Sequence, residues 1–357
     1  MSKQSKGRIL YLSRLKALAC IAVVVLHTFY AADAFAKDKT QHMLMLSVRN
    51  CCMWAVPCFV MATGALLLDP ERKLSYKKLF GRLVLKMALA LAVFTFLFEL
   101  FDEKLIKKEV TGALFVNTRD NIILGTGWKH MWYLYLMIAL YLMMPVYKAV
   151  TEKSDKNLVC YLCVILFAFL SMRPLVETVT GSQTAFYICV YSVYPLFLFC
   201  GYMLHNKYFT LPAWYYAFTA SVGLAFTVYF TAACIDTKSK EVTSLLGSYS
   251  CPIYVVTAFC IFGAFSGCKG DKRIPILDTI ACELERCSFG IYLLHMAVLK
   301  YIFAVTRYDP FKFGGVWSVI VIALVSLMIS YGVTRIYSLI PVFIKRIKPE
   351  PEEAKKE

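Results

Sequence analysis

Long apolar stretches recur along this chain, each closed by a short polar or charged segment. A helix needs about 20 mostly apolar residues to cross the hydrocarbon of a bilayer. Ten stretches approach or meet that demand, at roughly 9–31, 44–68, 83–101, 130–150, 157–173, 185–204, 211–233, 251–266, 288–306 and 316–341, the fifth and eighth being the shortest. None alternates with period two over some ten residues, which argues against an outer-membrane barrel. The first follows basic residues as a secretory signal does, but it is too long for such a signal and nine more stretches follow. The pattern predicts an all-α polytopic transmembrane bundle of about ten spans, one membrane domain over 1–344. A Lys/Glu/Pro tail, 345–357, is expected to be disordered.

Composition agrees. Hydrophobic residues make up 59% of the 357 and charged residues 17%, too apolar a balance for soluble domains. The net charge of +16 suggests a nucleic-acid partner until the charges are located. With the N-terminus placed inside, 21 of the 39 Lys and Arg fall on inner segments and 12 on outer ones. That bias predicts cytoplasmic termini. The charge is then topological, and no nucleic-acid partner is expected. The fourteen Cys show no zinc spacing with partner ligands. Cys160 and Cys163 form a CxxC on an apolar helix with no His nearby, and small packing residues are the simpler reading. No metal is expected.

Ionisable residues inside spans are costly and mark candidate sites. His27 lies in the first span and His295 in the ninth, and no Asp or Glu lies deep in any span; Glu99 is near an end. Lys16 and His27 are eleven residues apart, three turns plus about 20°, so both lie on one helix face about 16 Å apart. Snorkelling to headgroups would also serve Lys16, and a helix–helix hydrogen bond would serve His27. Ser288, Tyr292 and His295 share a stripe by i, i+4, i+7 spacing that should face protein, as glue or as part of a site. Pro57 predicts a kink in the second span, and Arg49 there needs a partner or a wet cavity. Arg14, Lys16, Arg82, Lys86 and Arg335 gather at inner-leaflet depth. Ordinary topology explains most of them, and they also suit a phosphate-rich donor.

These residues resemble a family. The Lys16-x10-His27 spacing is similar to the R/K-x10-H signature of the acyltransferase-3 family of bacterial membrane enzymes. Val56-Pro57-Cys58-Phe59-Val60-Met61-Ala62-Thr63-Gly64 resembles its V-P-x-F-x-M-x-S/T-G segment. His130-Met131-Trp132-Tyr133-Leu134, running on to Leu140-Tyr141-Leu142 and Pro145, resembles its H-x-W-Y/F-L…LYL…P segment. Tyr194 to Tyr202 and Ser288 to His295 resemble two further stretches, in the family's order. The H-x-W-Y-L segment is most similar to the subgroup that O-acetylates surface polysaccharides, of the enterobacterial common antigen type. Ser13 departs from the family, which often has Asp there, and the partner that orients Lys16 is left unassigned. Lys16 and Thr63 also stand where Arg and Ser are common.

The resemblance implies transfer of an acetyl or other short acyl group from cytoplasmic acyl-CoA to a glycan hydroxyl outside a bacterial cytoplasmic membrane. His27 would be the general base, or carry the acyl group transiently. Lys16, Arg14 and Lys86 would hold the donor. Arg49, Trp132, Tyr133, Tyr292 and His295 would line the reaction chamber or steady the oxyanion. The expected partners are acyl-CoA, a glycan acceptor and the lipid bilayer, and a homodimer is one assembly open to the chain. Acetyl-CoA enters as donor substrate. The rival expectation is a transporter or flippase for a glycan or small molecule, against which the lack of deep carboxylates and inverted repeats weighs.

Overall fold

The computed structural model describes residues 9–110, 112–184, 190–235, 240–267 and 274–347. Among them the chain is helical throughout, with no strand. The helices that build the bundle are α1 (Leu10–Ala32), α2 (Lys39–Cys51), α3 (Ala55–Leu67), α4 (Leu85–Phe101), α5 (Leu114–Leu124), α6 (Trp132–Lys153), α7 (Lys156–Phe167), α8 (Arg173–Thr180), α9 (Tyr194–His205), α10 (Ala213–Cys234), α11 (Pro252–Gly267), α12 (Pro275–Lys300) and α13 (Val316–Ile347).

Among the described residues, eight helical segments are long and apolar enough to cross a membrane. The other two expected spans, 185–204 and 251–266, correspond to shorter helices. α9 has 12 residues and α11 has 16, or about 18 and 24 Å of rise, short of the ~30 Å core. Both are wrapped by neighbours, and every residue of α9 from Pro195 to Leu204 is buried. Residues 185–189 of the sixth expected span lie outside the described residues. So does the expected disordered tail from residue 348 onward, while α13 runs through 345–347.

The second span is not one kinked helix. It breaks over Cys52–Trp54 into α2 and α3. Pro57 is the third residue of α3, where its missing N–H would have had no helical partner, so it favours a fresh start rather than a bend. α2 is tied to α10 by Asn50, whose Nδ2 donates to Thr231 Oγ1 at 3.0 Å.

α1 is the hub. It packs against α2, α3, α11, α12 and α13, and Ala17, Ala19, Cys20 and Ala22 on it are buried. Small residues let helices approach where lipid offers no hydrophobic drive to associate. α3 and α9 cross closest of all. A Cβ on Gly64 would meet the Leu198 carbonyl oxygen at 2.0 Å, and one on Gly201 would meet that of Met61 at 2.0 Å. Elsewhere large apolar side chains point outward in rows. Leu85, Leu89, Val93 and Leu97 on α4 and Trp214, Phe218, Val222 and Phe226 on α10 are exposed. Four-residue spacing puts each row on one helix face, and such faces suit acyl chains.

Candidate functional site

Three cavities follow one another along α1, and α3 and α12 keep the same order. The first, about 860 Å³, is lined by Ser13 and Lys16 of α1, Leu66 and Leu67 of α3 and Glu285 of α12. The second, about 110 Å³, is lined by Cys20, Val23, Val24 and His27, by Val56 and Phe59, and by Ser288, Phe289, Ile291 and Tyr292. The third, about 1050 Å³, opens beyond His27 at Tyr30, Arg49, Met53, Met296 and Lys300. His27, His130, Trp132 and Tyr249 line both the second and the third. Two roomy, polar-rimmed cavities therefore flank a narrow apolar chamber, with the imidazoles of His27 and His130 where it meets the third cavity.

The partner missing for Lys16 is Glu285. Lys16 Nζ lies 3.2 Å from Glu285 Oε1, and Ser13 Oγ donates to Oε2 at 2.6 Å. One carboxylate thus holds both side chains of the departing motif. Glu285 was hidden in the sequence because hydropathy starts the ninth span at residue 288. The helix starts at Pro275 and carries Asp278, Glu283 and Glu285 on its polar first half.

Hydrogen bonding sets the histidine tautomers. His27 Nδ1 is 3.0 Å from the Val23 carbonyl, and His295 Nδ1 is 3.0 Å from the Ile291 carbonyl. A carbonyl oxygen only accepts, so each Nδ1 carries the proton. His295 Nε2 is then a lone pair facing His27 Nδ1 at 3.2 Å, and the His27 N–H is shared between Val23 and His295. That leaves His27 Nε2 as the basic nitrogen, on a ring that lines both the chamber and the third cavity. His295 is fully buried. It lines none of the three cavities, against expectation, and instead orients the His27 ring through Nδ1.

His130 differs. It is 2% exposed, yet neither ring nitrogen has a hydrogen-bond partner among the described residues; the Leu293 carbonyl approaches without reaching hydrogen-bond geometry. An unsatisfied buried polar group costs about 1–3 kcal/mol, which a hydrogen-bonding occupant of the cavities that His130 lines would offset. Its own carbonyl accepts from Tyr292 Oη at 2.6 Å, and its ring lies 5.8 Å from that of His295.

The other expected site residues divide. Trp132, Tyr133 and Tyr292 line the second cavity. Arg49 lines the third cavity, 5.1 Å over the Tyr30 ring, which meets its need for a wet surface. Arg14 instead pairs with Asp278 at 2.6 Å, tying α1 to α12. Lys86 lies 4.3 Å over Phe289, against the outside of the chamber wall. Neither lines the Lys16 cavity. The cations that line it with Lys16 are Arg72, Lys73 and Lys78, which sequence alone counts only as topology. Their loop is held by buried Lys148, which donates to the Asp69 carbonyl at 2.6 Å, and by Thr151, which donates to that of Leu68 at 2.8 Å. Tyr249, outside every expected span, has no sequence signal. No group of three or more metal-ligating side chains occurs among the described residues.

Fold and site define an all-α polytopic membrane protein with His27 on the wall of a narrow chamber between two cavities and His295 bonded behind it. The acyltransferase domain family Acyl_transf_3 matches residues 9–335. The chain belongs to that family. It is also 25% identical over 308 residues to proteins described as a probable poly-beta-1,6-N-acetyl-D-glucosamine export protein from Staphylococcus aureus strains Mu50, MSSA476 and NCTC 8325, covering 82% of this chain and 83% of each relative. No solved structure matches the chain.

Proposed function

We propose that this protein moves an acetyl or other short acyl group from cytoplasmic acyl-CoA to a hydroxyl of a cell-surface or lipid-linked glycan on the far side of a bacterial cytoplasmic membrane. Family membership supports acyl transfer, and the relatives' description supports a polysaccharide acceptor. The observation that carries the reading is the order of the cavities, with His27 at the junction of the second and third.

The nucleotide of the donor would stay in the Lys16 cavity, where Lys16, Arg72, Lys73 and Lys78 offer charge to phosphates. The pantetheine arm would thread the apolar chamber, and the ~16 Å from Lys16 to His27 is within its extended reach. The thioester carbon then meets a sugar hydroxyl arriving from the third cavity. His27 Nε2 takes the hydroxyl proton as the oxygen attacks, and the C–S bond breaks as the adduct collapses. The proton passes to the departing thiolate. Apolar walls keep bulk water from hydrolysing the thioester.

Export is the second reading, favoured by the relatives' description. The chamber weighs against it. A protein cavity of about 150 Å³ holds benzene, so about 110 Å³ accommodates an acyl chain more readily than a sugar ring. Purified protein separates the readings. Acetyl-CoA at 100 times its Kd should raise unfolding stability by about 2.7 kcal/mol, and Lys16→Ala should weaken its affinity about tenfold or more, since a hydrogen bond to a charged group contributes about 1.5–3 kcal/mol. Stabilisation by β-1,6-linked glucosamine oligosaccharides but not by CoA compounds would favour export instead.

A further inference from the structure

We propose that His130 is a catalytic residue whose ring N–H binds the oxygen of the acyl carbonyl as it becomes an oxyanion. The inference rests on the acyl-transfer reading and names a group that reading leaves unfilled. Attack on a thioester converts the carbonyl π pair to negative charge on oxygen, which needs a donor aimed at that point. His27 cannot supply it, because its Nδ1–H is engaged and its Nε2 is the base.

Trp132, Tyr133 and Tyr249 also bring donors to the chamber wall, whereas three neighbouring donors are committed elsewhere. Tyr292 Oη donates to the His130 carbonyl, Ser288 Oγ to the Glu285 carbonyl, and His295 Nδ1 to the Ile291 carbonyl. His130 is the imidazole with both ring nitrogens unpartnered. It lines the chamber that would hold the acyl group and the cavity that would hold the acceptor. Its place is fixed from outside the ring. Tyr292 pins the backbone, and the ring packs against Phe98, Trp128 and Tyr292.

The step balances without further reactants. The acceptor oxygen bonds to the carbonyl carbon and its proton goes to His27 Nε2. The π pair moves to oxygen, where the His130 N–H donates a hydrogen bond and loses no proton. The carbonyl re-forms, the C–S bond breaks, and the thiolate leaves with the proton from His27.

The test uses full-length protein in liposomes, with thiol release from acetyl-CoA measured in the presence of a β-1,6-linked N-acetylglucosamine oligosaccharide. His130→Ala should lower kcat about 100-fold or more, the usual loss of an oxyanion donor. The KM for acetyl-CoA and the thermal shift with CoA should stay within about twofold of wild type. His130→Gln, which keeps an N–H donor, should recover at least tenfold of the loss. A His130→Ala variant within threefold of wild-type kcat would overturn the assignment. So would equal losses in the Ala and Gln variants, which would make the ring a packing element. Wild type that neither releases thiol nor is stabilised by CoA would overturn the acyl-transfer reading itself, and this inference with it.

Discussion

Replacing His27 with alanine should lower acyl transfer by about 10²–10⁴-fold, the usual contribution of a positioned general base. The loss should appear in kcat. Donor affinity should be preserved, because Lys16 lies about 16 Å away along α1 and the cations beside it line a different cavity. Thiol release from acetyl-CoA by the purified variant, read beside its thermal shift with CoA, measures both quantities. The reason for so large an effect is specific. A sugar hydroxyl is a weak nucleophile, and His27 offers a lone-pair Nε2 whose ring partner Nδ1 is already fixed by Val23 and His295. Full activity in a folded His27→Ala protein would remove the histidine from the chemistry.

The second large effect concerns folding. Gly201→Ala should destabilise the protein at the upper end of the ~1–3 kcal/mol typical of overpacking. The added Cβ would lie 2.0 Å from the Met61 carbonyl oxygen. Backbone cannot rotate aside as a side-chain tip can, so α3 and α9 must separate. Gly64→Ala should do the same from the other helix, against Leu198. Gly332→Ala is the control, since nothing lies within 4 Å of its Cβ position and alanine is the better helix former. Melting temperatures in detergent should fall for the first two variants and hold or rise for the third. Equal melting of Gly201→Ala and wild type would mean that the α3–α9 crossing is looser than described.

These two effects mark what could be read from sequence. The Lys16–His27 face was legible because helical periodicity alone defines it, and so was the Ser288–Tyr292–His295 stripe. Gly64 and Gly201 were visible as members of family-like segments, but their reason is a crossing between two helices far apart in sequence. Glu285 was not legible, because a charged first half of α12 reads as loop to any hydropathy window. The break in the second span was misplaced because Pro57 looks the same whether it bends a helix or begins one. Arg14 was assigned to the donor by depth alone, whereas its role depends on Asp278, 264 residues away. His130 stands in a family-like motif, but the want of hydrogen-bond partners at its ring nitrogens shows only in three dimensions.

The central claim is that an acyl group crosses the membrane plane while donor and acceptor stay on opposite sides. Sealed liposomes holding the protein in one orientation test it directly. Acetyl-labelled acetyl-CoA is supplied on the side of the Lys16 cavity, and a β-1,6-linked N-acetylglucosamine oligosaccharide is confined to the side of the third cavity. The account predicts label on the oligosaccharide with neither substrate crossing, and none with His27→Ala. Label that appears only when both substrates share one side, or unmodified oligosaccharide that crosses the membrane, would contradict it.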